Sequence, residues 1–295
     1  MFTTVTADGN PSHEAAVASR LGARVTQKQL ALVTADVVEC RRCPRLVAWR
    51  ERVASQKVAR FADDEYWGRP VPGSGDPDAR ILVVGLAPAA HGGNRTGRIF
   101  TGDASADFLF PALYGAGLSN SGVSRRRDDG LRLIDTYIAA VNRCAPPDNK
   151  PTPVERDNCL PYLEREIAAL ERVRVVVALG AYAWDGTLRA LGSLGHARRP
   201  RPRFAHGTEE EIGPFTLIGS FHPSQQNTFT GRLTRPMLDA VFARAVEIAG
   251  IRARGRAARA GADSRGGRGP EGSPKRRPRH VRSSSAGAGS DRARG

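Results

Sequence analysis

Four runs of nearly continuous Val, Ile and Leu limit what this chain can fold into more than any other feature. They are "RILVVGL" (80–86), "IDTYIAAV" (134–141), "VRVVVAL" (173–179) and "FTLIGSF" (215–221). Each reads as a strand apolar on both faces. Each is followed by a loop and then a stretch with helical spacing, near 104–115, 154–170, 180–191 and 235–249. Strands of this kind alternating with helices predict a parallel sheet covered on both faces. In open sheets of that type, ligands bind beyond the carboxyl ends of the strands. The unusual loops that begin near residues 85, 142 and 221 all follow strands, so they are expected to converge on one edge. Between the third and fourth strands, "GSLGHARRPRPRFAHGTEEEIG" reads as a polar, mobile connection. Upstream, "QLALVTADVVECRRCPRLVAWRERVA" has helical spacing broken by a Cys-x-x-Cys-Pro turn.

The chain has 295 residues, 40% of them hydrophobic, which is enough to bury a core. Its charge is uneven. Of 45 Lys+Arg and 30 Asp+Glu, residues 251–295 hold 13 and 3, a local net charge of +10. That segment is rich in Arg, Gly, Ser and Pro and poor in large apolar residues, so it is expected to be disordered and to favour polyanions, nucleic acid first. A solvated extension without function is the plainer alternative. Residues 1–25 read as a flexible extension, leaving one domain over 26–250. No stretch approaches 18 consecutive apolar residues, and the N-terminus lacks the layout of a secretory signal. A soluble, cytoplasmic protein is expected.

Four cysteines, Cys40, Cys43, Cys144 and Cys159, occur as Cys-x2-Cys and, about a hundred residues later, Cys-x14-Cys. In a cytoplasmic chain, thiols are more often reduced, metal-bound or catalytic than paired in disulfides. Four thiolates suit a tetrahedral zinc or a [4Fe–4S] cluster, and spacing alone does not choose between them. Buried unliganded thiols are the bland alternative. A four-thiolate site would be structural, since no ligand position stays open for chemistry.

The first loop, "GLAPAAHGGNRTGRIFTGDASADFL", is glycine-rich but lacks the Gly-Lys-Ser/Thr of a triphosphate-binding loop, and its only cations are Arg95 and Arg98. Phe100 is an isolated aromatic whose plain reading is core packing. Asp103 is an N-cap candidate for the following helix. Asn149, in "PPDNKPTP", suits a turn. In "SFHPSQQNTFTGRLT", His222 sits directly at a strand end. Ser224, Asn227, Thr228 and Thr230 are polar, Gly231 and Arg232 suit backbone contact with phosphate, and Phe229 suits a pocket or a wedge. Taken together, the three loops offer a donor, an amide, a carboxylate and an aromatic face at one edge.

These segments resemble the uracil-DNA glycosylase superfamily, and in particular its family 5. "GLAPAAHGGNRTGRIFTGDAS", "RCAPPDNKPTP" and "HPSQQNTFTGRLT" look like that family's three signature segments, and "CRRCPRLVAWRE" looks like its cluster segment. The similarity spans roughly residues 30–249. It implies an α/β/α sandwich on a four-stranded parallel sheet. It also implies a [4Fe–4S] cluster on Cys40, Cys43, Cys144 and Cys159, and removal of uracil, with other deaminated bases as further candidates, from DNA. A base inside a duplex must be flipped out to be reached. By this resemblance Gly85 and Ala87 line the extruded nucleotide, Phe100 stacks on it and Asn149 reads its edge. His222 donates to the uracil O2 as the glycosidic bond breaks, and Asp103 orients water or steadies the oxocarbenium. Asn142 ranks below Asn149. Arg95, Arg98, Ser224, Gly231 and Arg232 are the DNA contacts, in a protein acting as a monomer on uracil-containing DNA. Where other families of the superfamily place an acid or amide early in the first loop, this chain has Leu86, Ala87, Pro88 and Ala89. The competing readings are a non-catalytic iron–sulfur lesion-recognition module and a zinc-stabilised nucleotide-binding fold.

Overall fold

A computed structural model describes residues 11–251; for residues 11–21, 23 and 24 it gives the backbone course alone. The basic tail lies outside the described residues. The chain begins with α1 (Pro11–Val38), which starts inside the segment set apart as an extension, and α2 (Pro44–Gln56). The Cys-x-x-Cys-Pro turn separates the two helices, with Pro44 at the first helical position, where its missing N–H costs nothing. There follow β1 (Ser74–Gly75), β2 (Ile81–Gly85), α3 (Gly93–Thr96), α4 (Ala104–Gly115) and β3 (Thr136–Ala140). The second half adds α5 (Pro153–Ala169), β4 (Val175–Leu179), α6 (Ala181–Ser193), β5 (Glu209–Ile212), β6 (Phe215–Ser220), α7 (Gln225–Phe229) and α8 (Arg235–Ile248).

The four apolar runs become β2, β3, β4 and β6, and every residue in them is buried. They pair in parallel in the order β3-β2-β4-β6. Alternation along each strand divides the side chains between two cores. Leu82, Val84, Val176 and Ala178 pack with Leu163 and Ile167 of α5 and Trp184 and Leu188 of α6. Ile81, Val83, Val175 and Val177 pack with Leu109 and Phe110 of α4 and Val241 and Phe242 of α8. This is a three-layer α/β/α sandwich, and strand order reverses its winding between β2 and β4, where such folds open a crevice.

The sheet is wider than four strands. β1 and β5 pair antiparallel at its two edges, giving six strands in all. The stretch expected to be a mobile connection therefore contains an ordered edge strand. Its "EEEI" has three carboxylates that conceal it, yet they suit a sheet edge, where charge discourages pairing with another chain. Ile212 is buried, and Glu211 accepts from the Thr216 hydroxyl across the pair.

Candidate active site

The loops after β2, β3 and β6 meet at the carboxyl edge of the sheet, around a cavity of about 600 Å3. Ala87, Phe100, Asp103, Asn149, His222 and Ser224 all line it. Three stretches spread over more than a hundred residues are thus brought to one place by strand order alone.

Gly85 ends β2 without a side chain, and the Phe100 ring fills the space. A Cβ at Gly85 would stand 2.8 Å from Phe100 Cζ. Gly85 therefore lies behind the aromatic ring rather than on the cavity wall. Phe100 itself has φ of +50°, a left-handed conformation that is strained for a bulky residue and persists only where its surroundings enforce it. The enforcement comes from two arginines. Arg95 donates to the carbonyls of His91 (2.8 Å) and Gly102 (3.2 Å) and pairs with Asp64 (2.6 Å). Arg98 donates to the Thr101 hydroxyl (2.9 Å) and to Asp129 (2.8 Å). Expected on phosphate, Arg95 and Arg98 are instead held inside the protein, clamping the turn that carries Phe100. Their guanidiniums already have internal partners, which is why they do not reach outward.

Asp103 serves two ends. Its Oδ1 accepts from the Ala106 N–H at 2.9 Å and caps α4. Its Oδ2 faces Gly92, where an added Cβ would lie 2.1 Å away. Burial raises the carboxyl above its ordinary range, against the opposing pull of the Ala106 and Ser105 N–H groups. Asn149 closes the turn Pro147–Asn149, where it and Asp148 both have positive φ, +55° and +53°. Asn tolerates that conformation, and its side chain is left exposed at the cavity. Asn142, by contrast, is fully buried: it donates to the Glu155 carbonyl (3.0 Å) and accepts from Tyr182 (2.7 Å). Its amide is committed to the scaffold.

His222 leaves β6 opposite Gly180, and its carbonyl accepts from the Asn227 amide at 2.8 Å. Its ring tilts toward Phe100, centroids 5.9 Å apart at 36°. Burial pushes the imidazole down to about 4, so it is neutral at pH 7 and carries one N–H. Ser224 caps α7 by accepting from Asn227 N–H (3.4 Å). Beyond it, Gly231 is exposed with φ of +72°, and Arg232 stacks over Phe221 at 4.6 Å. Phe229, at the end of α7, is 81% exposed. Gly231 and Arg232 thus lie on the outer face of the third loop, not in the cavity.

The cysteines gather on the other side of the second loop. Cys43 and Cys144 pack with Leu46, and Asn158 donates to Cys43 Sγ at 3.5 Å. Among the described residues, no three His, Cys, Asp or Glu side chains are arranged to hold a metal ion. Burial raises Cys43, Cys144 (to about 11) and Cys159 (to about 12). Two buried arginines stand here. Arg143 is paired with Glu166, whereas Arg50 makes no ion pair with a carboxylate among the described residues. It donates to Cys144 Sγ (2.8 Å) and to the Cys40 carbonyl (3.2 Å). Arg50 escaped notice in the sequence, although it follows Cys43 by seven residues, two helical turns, on the same face of α2.

A family model of the uracil DNA glycosylase superfamily matches residues 72–246. A type-5 uracil-DNA glycosylase of Mycobacterium bovis is 55% identical over 214 residues, covering 72% of this chain and 79% of the relative. The chain belongs to the uracil-DNA glycosylase superfamily. Type-5 enzymes of Mycobacterium leprae (52% over 221 residues, 74% of this chain and 95% of the relative) and Thermus thermophilus (52% over 213 residues, 72% and 94%) place it in family 5. The superfamily match takes in all three loops of the cavity and leaves α1, α2 and the tail outside it. The relatives reach beyond it, since 214 aligned residues exceed the span of the family model. In this superfamily member the early first loop presents only the apolar Leu86 and the methyl groups of Ala87 and Ala89 to the cavity, whose carboxylates are Asp103 and Asp148.

Proposed function

We propose that this protein is a monofunctional DNA glycosylase that extrudes uracil from DNA and hydrolyses its N-glycosidic bond, opening base-excision repair. The observation that carries this reading is the shared cavity of Phe100, His222, Asp103 and Asn149, of a volume in the range of small-ligand sites. An extruded pyrimidine stacks on Phe100, an interaction worth ~1–3 kcal/mol. The Asn149 amide, able to donate and accept, reads the edge that distinguishes uracil from cytosine. As the bond breaks, the departing base spreads negative charge over its carbonyls. The neutral His222 N–H donates to that charge, and a fixed donor in a dry site is worth ~3–4 kcal/mol to the transition state. Asp103 Oδ2, free of the helix cap, orients water toward the sugar carbon or steadies the oxocarbenium. Phe229 fits a wedge that holds the duplex open while the base is out, with Ser224, Gly231 and Arg232 beside it on the backbone.

A [4Fe–4S] cluster on Cys40, Cys43, Cys144 and Cys159 is part of this reading. The support is Arg50: a buried guanidinium without a carboxylate needs an anion, and an anionic thiolate cluster supplies one. Bound there, the cluster joins α2 to β3 and α5 and takes no part in the chemistry. The protein is read as a monomer in a cytoplasmic setting, where thiols are more often reduced or metal-bound than paired in disulfides.

The test is strand cleavage by alkali after incubation with a uracil-containing duplex. Abasic product is expected, and no product at stoichiometric protein overturns the reading. A panel of uracil, hypoxanthine and xanthine substrates then sets its range.

A further inference from the structure

Beside the base cavity lies a second, larger cleft of about 930 Å3. The two share Ala89, Asp103, Ala104, Asp148, Asn149 and Gln225, so they are parts of one depression. Its far wall comes from outside the three loops. Trp49 of α2, Arg60 of the short turn Ala59–Phe61, and Arg125 and Arg126 after α4 supply it.

The charges of this cleft are sorted. Arg95 within it is neutralised by Asp64. Arg60, Arg125 and Arg126 are exposed, and among the described residues none of them has an ion-pair partner. Arg60 sits over the Phe61 ring at 4.3 Å, a ring that Arg95 also covers at 3.9 Å. Carboxylates line the cleft too: Asp103 and Asp148 border the base cavity, and Asp107 follows one helical turn after Asp103. Cations without carboxylates of their own repel one another, and a polyanion relieves that repulsion. Trp49 is half-buried in the cleft wall with Arg52 over its ring at 4.8 Å, and an aromatic set among cations is a platform for a nucleic-acid base.

We propose that this cleft is a second nucleotide subsite. It takes the nucleotide next to the extruded one on the same DNA strand, with phosphate on Arg60, Arg125 and Arg126 and the base against Trp49. The proposal rests on the glycosylase reading for its substrate. Here α2 does more than follow the Cys-x-x-Cys turn: it forms one wall of the DNA path.

The test compares wild type, the double variant Arg60→Ala/Arg126→Ala, Trp49→Leu, and a control, Arg189→Ala, on the exposed side of α6. Excision of uracil from a single-stranded oligonucleotide is followed over a range of salt, and thermal melts verify folding. The double variant should raise KM, leave kcat unchanged, and lower the slope of log KM against log salt by about 1 for each phosphate no longer neutralised. Trp49→Leu should raise KM by roughly five- to a hundredfold, and Trp49→Phe, which keeps a ring, should restore most of it. A double variant with the KM and slope of the Arg189→Ala control overturns the proposal. The same variants are titrated by fluorescence anisotropy with oligonucleotide alone, which requires no excision. A wild type that binds without excising sinks the glycosylase reading, and the binding slopes still decide the cleft.

Discussion

The imidazole of His222 and the ring of Phe100 face one another across 5.9 Å, tilted by 36°. Both rings line the same cavity, so a base held there lies within reach of each. Replacing His222 with Ala should lower kcat by about a hundred- to a thousandfold, with DNA affinity retained. Single-turnover excision beside anisotropy measures both. Unchanged turnover would remove His222 from the chemistry.

Two partly buried groups at this site titrate in opposite senses. His222 falls from 6.5 to about 4 on folding, so the unfolded chain takes up its proton first as pH drops. Its contribution to stability is full above 6.5 and is lost as pH falls from 6.5 to about 4. Asp103 is raised, so its contribution is present at low pH and lost as pH rises through its folded value. For catalysis, ionised Asp103 places the acidic limb of kcat/KM above the ordinary carboxylate range. Asp103→Asn, which keeps the cap acceptor, should abolish that limb together with most activity. Asp103→Ala should also cost about 1 kcal/mol of stability through the lost cap. A pH–rate profile and thermal melts across pH separate these effects.

Two glycines behave as site residues without touching substrate. An alanine methyl at Gly85 meets the Phe100 ring at 2.8 Å, and one at Gly92 meets Asp103 Oδ2 at 2.1 Å. Gly85→Ala should raise KM by displacing the stacking ring. Gly92→Ala should lower kcat by displacing the carboxylate. Neither is expected to unfold the sheet. Kinetics that match wild type would mean that the two side chains yield freely.

Arg50→Leu leaves the cysteines in place and removes the cation beside Cys144. If that cation balances a thiolate cluster, the variant should be purified with reduced iron and sulfide and weaker visible absorption, and Arg50→Lys should recover part of both. Iron content equal to wild type in Arg50→Leu would sever the link between this arginine and the cluster.

Phe229→Ala alters a ring that is 81% exposed, so stability should change by less than ~0.5 kcal/mol. A wedge that offsets unstacking of a few kcal/mol should still matter on a duplex, where excision should drop by roughly ten- to a hundredfold. Single-stranded substrate, with nothing to unstack, should be processed as by wild type. Equal losses on both substrates would argue against a wedge.

The parallel sheet, its flanking helices and the common edge of three loops were legible in the residues. Burial on both faces leaves only one kind of side chain available, and β2, β3, β4 and β6 are written almost wholly in it. His222, Phe100, Asp103 and Asn149 followed from strand ends, because a parallel sheet sends successive loops to one side. Residue type and order were sufficient for that much. They could not assign partners to charged side chains. Arg95 finds Asp64 and Arg98 finds Asp129, each 31 positions away, while Arg50 finds Cys144 across 94. The edge strand β5 hides behind three glutamates, and Trp49 and Arg126 reach one cleft from opposite sides of the first loop. Only folding decides such pairings, since an ion pair or a shared wall depends on distance in space, and no local pattern of residues records it.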